Sequence, residues 1–216
     1  IDTKDEVKGT DSALSGAKRG RQTSMWLAIE SVKNKESDII ISAGNTGALF
    51  VIAKLNLKMI ENIDKPALSG LWPNKKGTNI VLDLGANIDC SEKNLADFSL
   101  MGSALFKALF PNENPKVALL NIGSEEIKGN DVIKNTYKKL SNEKNNVYEF
   151  KGYIEGNEMM NGDVNVIVTD GFTGNVALKT AEGTANFITN ELKKVLSGNF
   201  IGKISSMLNF KNINKF

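Results

Sequence analysis

Short apolar runs alternate with longer stretches of helical periodicity along this chain. Asp38–Ser42 is a β-branched run of strand length, and Asn79–Asp83, Lys116–Asn121 and Val164–Asp170 share its character. Met25, Trp26, Ile29 and Val32 lie near one helical face ahead of the first run. Leu95, Phe98, Met101, Leu105 and Leu109 form a second stripe. Val132, Ile133, Tyr137 and Leu140 form a third, opened by Gly129-Asn130 as its cap. Val176, Leu178 and Phe187–Leu196 predict a long fourth helix. Trp72-Pro73-Asn74-Lys75-Lys76-Gly77 reads as a turn, and Ser141–Asn146 as an exposed loop. Strands alternating with helices predict an α/β fold, with a mostly parallel sheet and helices on both faces. Residues 1–216 are expected to form one such domain, with no repeat and no clear linker.

Composition narrows the chemistry more than it narrows the fold. A hydrophobic share of 41% and a charged share of 24% over 216 residues is ordinary for a globular chain that buries a sizeable core. The net charge of +2 sets up no global field, and no nucleic acid is expected as a partner. One cysteine leaves no disulfide framework and fits a reducing compartment. The absence of histidine removes Ser-His-Asp triads, Cys-His pairs, histidine general bases and His-ligated zinc. Catalysis would have to run on Lys, Asp, Glu, Asn, Ser, Thr or backbone amides. No apolar run reaches the roughly 18 residues that span a bilayer. No secretory leader pattern opens the chain, so a cytoplasmic location is expected. The first residue is Ile1 rather than Met, as in a fragment or a processed product.

The four strand candidates end alike, in a polar residue closely followed by glycine. They read Ser42-Ala43-Gly44-Asn45-Thr46-Gly47, Asp83-Leu84-Gly85-Ala86-Asn87, Asn121-Ile122-Gly123-Ser124 and Asp170-Gly171-Phe172-Thr173-Gly174-Asn175. In parallel α/β sheets the ligand crevice lies outside the carboxyl ends of the strands. Glycines there let backbone N–H groups approach an anion, and a following helix adds its positive end. One such loop would mean only a tight turn, whereas the same pattern at four strand ends points to an anion site. The expected phosphate-binding set is therefore Ser42, Gly44, Asn45, Thr46, Gly47, Asp83, Asn87, Asp170 and Thr173. Neither a Walker sequence nor G-x-G-x-x-G is present, so a nucleotide is not indicated. No metal site and no cofactor are expected.

Lys128 stands between a strand end and a helix start, in Glu125-Glu126-Ile127-Lys128-Gly129-Asn130. It reads either as a cation for phosphate or a carbonyl oxygen, or as a surface lysine paired with Glu125 or Glu126. Asn175 reads as an amide donor to a substrate oxygen or as a helix cap. Cys90 has no histidine to activate it and reads as a small, partly buried side chain. Lys18, Arg19 and Arg21 form a basic cluster that suits an acidic partner or is simply solvated. From Leu192 to Phe216 there is no acidic residue, while Phe200, Ile201, Ile204, Met207 and Leu208 recur at helical spacing among lysines. This basic amphipathic segment, 192–216, is read as a protrusion. It suits either a dimer interface or a peripheral contact with an anionic membrane surface.

Taken in order, these motifs resemble the bacterial phosphate acyltransferases of phospholipid synthesis. The matching stretches are Ile41–Leu49, Asp83–Asp89, Met101-Gly102-Ser103, Leu120–Gly123, Lys128-Gly129-Asn130 and Thr169–Val176. The family's opening Asp-Ala-Met-Gly-Gly-Asp-like motif and its final histidine-bearing strand have no counterpart here, so the chain resembles the family's middle portion. The resemblance implies a fold like that of isocitrate dehydrogenase and phosphate acetyltransferase, and a homodimer. It implies transfer of a fatty acyl group from acyl carrier protein to inorganic phosphate, with Lys128 and Asn175 as the catalytic pair. It also implies carrier docking at Lys18, Arg19 and Arg21, and peripheral membrane association. The rival expectations are a phosphate acetyl- or butyryltransferase using acyl-CoA, and a non-catalytic anion- or membrane-binding scaffold.

Overall fold

The computed structural model describes residues 1–143 and 146–197. Three helices come first: α1 (Ala13–Lys18), α2 (Ser24–Lys33) and α3 (Thr46–Asn56). They close on a small core of Ala17, Met25, Ile29, Ala48 and Ile52. Strands β1 (Ser69–Asn74) and β2 (Gly77–Leu82) follow, then α4 (Glu92–Leu109), β3 (Lys116–Asn121), α5 (Asp131–Asn142), β4 (Glu149–Glu155), β5 (Val166–Val168) and α6 (Gly171–Ser197).

The strands form one sheet in the order β1-β2-β5-β3-β4. Only the β1–β2 pair is antiparallel, and β2, β5, β3 and β4 run parallel. Leu82, Val168 and Leu119 stand abreast, so three carboxyl ends finish side by side. Alternation along the strands sorts the core. Ile80, Leu82, Val117, Leu119, Val166 and Val168 pack on Leu95, Phe98 and Phe106 of α4 and on Ile133 and Leu140 of α5. Val81, Ala118, Leu120 and Ile167 face the other way, toward Leu178 and Ala181 of α6. Helices thus cover both faces of a mostly parallel sheet, as the pattern predicts.

Several elements differ from the expectation. Asp38–Ser42 is extended but joins no ladder among the described residues, and Ile39 and Ile41 are 75% and 93% exposed. A β-branched run becomes a strand only when another strand takes up its backbone groups. The Trp72–Gly77 turn is shorter than expected. Lys75 and Lys76 alone make it, and Trp72 and Pro73 belong to β1. Pro73 is tolerated because β1 is an edge strand. Strand β4 carries no expectation from the pattern, since Gly152 bends it at φ +85° and the pairing with β3 shifts register between Val117 and Leu119. On α4 the buried face runs through Leu95, Phe98, Gly102 and Phe106, while Leu105 and Leu109 are exposed. Residues 192–197 continue α6, and the rest of the expected protrusion lies outside the described residues. Among the described residues, no helix is long and apolar enough to cross a membrane.

Gly102 sets how closely α4 approaches the sheet. A Cβ there would sit 2.5 Å from Val166 Cγ1 and 2.8 Å from Leu82 Cδ2. Gly102→Ala is expected to lower stability by about 1–3 kcal/mol through overpacking, despite alanine's better helix propensity. The urea midpoint measures it.

Candidate active site

The loop after β2 is organised around one carboxylate. Asp83 is fully buried. Its Oδ1 accepts from the backbone N–H groups of Leu68 at 3.0 Å, Gly85 at 3.1 Å and Ala86 at 2.9 Å. Its Oδ2 accepts from the backbone and side-chain N–H of Asn87, both at 2.7 Å. Asn87 Nδ2 also reaches Pro66 O at 2.8 Å. A carboxylate this fully supplied with donors shapes a loop and has no surface to offer an anion. Asp83 and Asn87, expected to bind phosphate, spend these hydrogen bonds on the shape of the loop.

Strand β5 delivers the next loop. Asp83 N donates to Thr169 O and Thr169 N to Leu82 O, which carries the β2–β5 ladder into the loops. Gly171 N then donates to Asn87 O at 2.8 Å. Two glycines let α6 start against that loop. A Cβ on Gly171 would lie 2.6 Å from Asn87 O, and one on Gly174 would overlap the Asp83 carbonyl. Asp170 caps α6: Oδ1 accepts from Thr173 N at 2.8 Å and Oδ2 from Thr173 Oγ1 at 2.9 Å. The helix start is thus already occupied by a negative group. Asp170 and Thr173, expected to bind phosphate, bond to each other and also line the cavity described below. Asn175 is not the cap. It sits in the second turn of α6 with Nδ2 over Gly85, 3.4 Å from Leu84 O, and its side chain is exposed.

The third loop, after β3, carries Lys128. Asn121, nearly buried, donates through Nδ2 to Gly123 O at 3.0 Å and Lys128 O at 3.2 Å, closing the loop on itself. Gly129 has φ +92° and lies tightly against Asn121 Oδ1, so only glycine fits there. Asn130 caps α5 through Oδ1, accepting from Ile133 N at 2.9 Å. Glu126 accepts from Tyr137 Oη at 3.0 Å. Lys128 is exposed and, among the described residues, forms no ion pair with Glu125 or Glu126. The three loops meet around one cavity of about 330 Å³, to which Asp89, Asn130, Asp170 and Thr173 contribute.

The fourth glycine loop belongs elsewhere. Asn45 caps α3, and its Nδ2 donates to the carbonyls of Lys8, Gly9 and Asp11. Gly47 packs on Ala13 of α1, 3.0 Å from where its Cβ would be. Ser42 Oγ accepts from Gly44 N at 3.2 Å. Thr46 is the exposed first residue of α3. Among the described residues, the hydrogen bonds of Ser42, Gly44 and Asn45 stay within the first 49 residues. In the basic cluster, Arg19 clamps Asp11 through Nε at 2.7 Å and Nη2 at 2.8 Å, holding that carboxyl below its usual range. Arg21 lies 5.9 Å over the Trp26 ring and Lys18 is exposed. Phe200, Ile201, Ile204, Met207 and Leu208 lie outside the described residues. Among the described residues, no group of His, Cys, Asp and Glu could hold a metal ion.

Comparison with known proteins identifies the chain's relatives. The fatty acid synthesis protein family matches residues 1–216. A phosphate acyltransferase of Pelagibacter ubique is 74% identical over the whole chain, and one of Maricaulis maris is 44% identical over 94% of it. The chain belongs to the phosphate acyltransferase family. It spans 65% and 57% of the length of those two relatives. Two solved structures share the fold, with TM-scores of 0.58 and 0.54 at 16% and 18% identity. They are a phosphotransacetylase from Streptococcus pyogenes, over 80% of this chain and 58% of that one, and the EutD phosphotransacetylase from Staphylococcus aureus, over 75% and 56%.

In this family member the sequence pattern did not single out Asn121 or Tyr137 for a role in the site, and read Gly129 only as part of the α5 cap. Asn121 stood in the repeated strand-end motif all along, and that was its signal. Asp83→Ala would strand the donors gathered on the carboxylate. It is expected to cost about 3 kcal/mol or more, read as a lower urea midpoint. Cys90 donates weakly to Asn87 O at 3.6 Å. Burial first, and the nearby Asp83 charge second, push its thiol up to about 11. Both disfavour the thiolate, so alkylation by iodoacetamide at pH 8 is expected to run ~100-fold slower than for an unperturbed cysteine. The rate should climb tenfold per pH unit up to about pH 10.

Proposed function

We propose that this chain carries the catalytic crevice of an acyltransferase that moves a fatty acyl group from acyl carrier protein to inorganic phosphate. The product, an acyl phosphate, would feed phospholipid synthesis. The observation that carries the reading is the exposed ammonium of Lys128, which forms no ion pair among the described residues. It sits on a loop braced by Asn121, with Glu126 drawn off by Tyr137, on the strand next to the α6 start that bears Asn175.

Phosphate is a competent nucleophile at neutral pH, so the task is to hold it in line with the thioester carbon. Lys128 supplies the positive charge that a phosphate dianion needs. Asn175 offers an amide N–H to the oxyanion that develops on the acyl carbonyl. The phosphate oxygen–carbon bond forms, the carbon–sulfur bond breaks, and the thiolate leaves and takes up a proton. No covalent intermediate on the protein is needed. Asp83, Asn87, Asp170, Thr173 and Asn121 act by holding the loops.

The remaining partners are part of the same proposal. Lys18 and Arg21 are the cations left to greet an acidic carrier protein. A second copy of the chain would cover the exposed stripe Ile188, Leu192 and Val195 on α6. The segment from Phe200 to Leu208 would touch an anionic membrane from the cytoplasmic side.

Lys128→Ala in the complete protein is expected to lower kcat for acyl-phosphate formation by about 10² or more, with little change in thermal stability. An unchanged kcat would return Lys128 to the solvated surface.

A further inference from the structure

We propose that the cavity beside Asp170 receives the fatty acyl chain, and that its walls determine which chain lengths the enzyme accepts. This rests on the acyl-transfer reading above. With a volume of about 330 Å³, the cavity is at the small end of the roughly 300–1,000 Å³ range of ligand sites. Its apolar lining comes from four separate elements: Ile88 and Cys90 from the loop after β2, Leu95 from α4, Val132 and Ile133 from α5, and Phe172 from α6. Exposure falls from mouth to floor. Ile88 and Phe172 are 68% and 63% exposed, while Leu95 is 1% exposed and belongs to the main core. Single exposed apolar residues are ordinary. Two on neighbouring loops, at the mouth of one pocket that runs down to the core, make an apolar entry.

Charge decides between tail and phosphate as the occupant. The charged side chains in the lining are Asp89 and Asp170, both acidic. A phosphate seated there would face like charge, whereas a hydrocarbon chain meets no such repulsion. Asp170 is already satisfied by Thr173 and does not call for a cation. Cys90, held neutral by burial, behaves as one more apolar wall. The polar end is placed as well. Asn130 lines the cavity and follows Lys128 by two residues. The thioester end is therefore placed at Asn130, on the side of the phosphate that Lys128 would hold, and the chain points toward Leu95.

Each methylene taken out of water strengthens binding roughly fourfold, so filling the pocket should penalise long chains selectively. The test compares wild-type complete protein with Cys90→Phe, which fills the interior, and Ile88→Trp, which changes only the exposed mouth. Acyl-phosphate formation is measured with palmitoyl and butanoyl donors. The ratio of kcat/KM for palmitoyl over butanoyl is expected to fall by about tenfold or more in Cys90→Phe, and in the same direction in Ile88→Trp. An equal loss for both donors would overturn the proposal and assign the cavity to the part of the donor common to both. A second readout does not need turnover: dodecanoate should slow modification of Cys90 by N-ethylmaleimide in the wild type, and less so in Ile88→Trp. If the wild type forms no acyl phosphate from any donor, the acyl-transfer reading fails, and Cys90 protection decides the cavity on its own. Absence of protection by dodecanoate would then overturn it.

Discussion

A carboxylate sealed at the end of a central strand must be supplied with donors, and Asp83 draws every one of its donors from the chain beside it. Leu68 N ties in the segment leading to β1, and Gly85, Ala86 and Asn87 are wrapped into a tight turn. That turn aims the Asn87 carbonyl at Gly171 N, which fixes where α6 begins. Once α6 begins there, Asn175 falls over Gly85. The position of the amide proposed to act on substrate thus follows from a buried charge that never meets substrate. A comparable arrangement, with a neutral donor in place of a charge, holds the neighbouring loop. Asn121 reaches both ends of the loop that carries Lys128.

The central strands and flanking helices were legible because burial imposes a period on sequence. β2, β3 and β5 are covered on both faces and read as continuous apolar runs, and α4 and α5 carry stripes opened by Ser91 and Asn130 caps. The pattern also predicted neither α1 nor α3, and what was not legible in the sheet sits at its edges. β1 contains a proline that an edge strand tolerates, and β4 contains a glycine bulge and charged positions open to water. Apolar content misled at Asp38–Ser42, because strand propensity describes a side chain's fit to a sheet and does not provide the sheet.

The loops at the strand ends were legible in outline, but not which of their residues spend their hydrogen bonds inside the loop, for one reason. Polar residues beside glycines at strand ends mark loops of a special shape, but the pattern does not say which of them face the ligand. Asp83, Asn87, Asp170 and Thr173 spend their hydrogen bonds on loop geometry. Asn45 and Gly47 carry the same signature and serve the packing of α1 on α3. Lys128 emerged from its place between strand and helix. Glu126, two residues before it, is bonded by Tyr137, one helical stretch away, and local sequence cannot show that.

The contact of Gly171 and Gly174 with the backbone of Asp83 and Asn87 bears on how such a crevice changes over evolutionary time. Main chain rests on main chain there, so the spacing of the two loops does not depend on the size of any side chain. Substitutions elsewhere in the core can accumulate and compensate one another without moving these two loops apart. The two glycines cannot drift in that way. The crevice is therefore insulated from the repacking that lets relatives of low identity keep a common fold, and its walls are left free to diversify around a fixed centre.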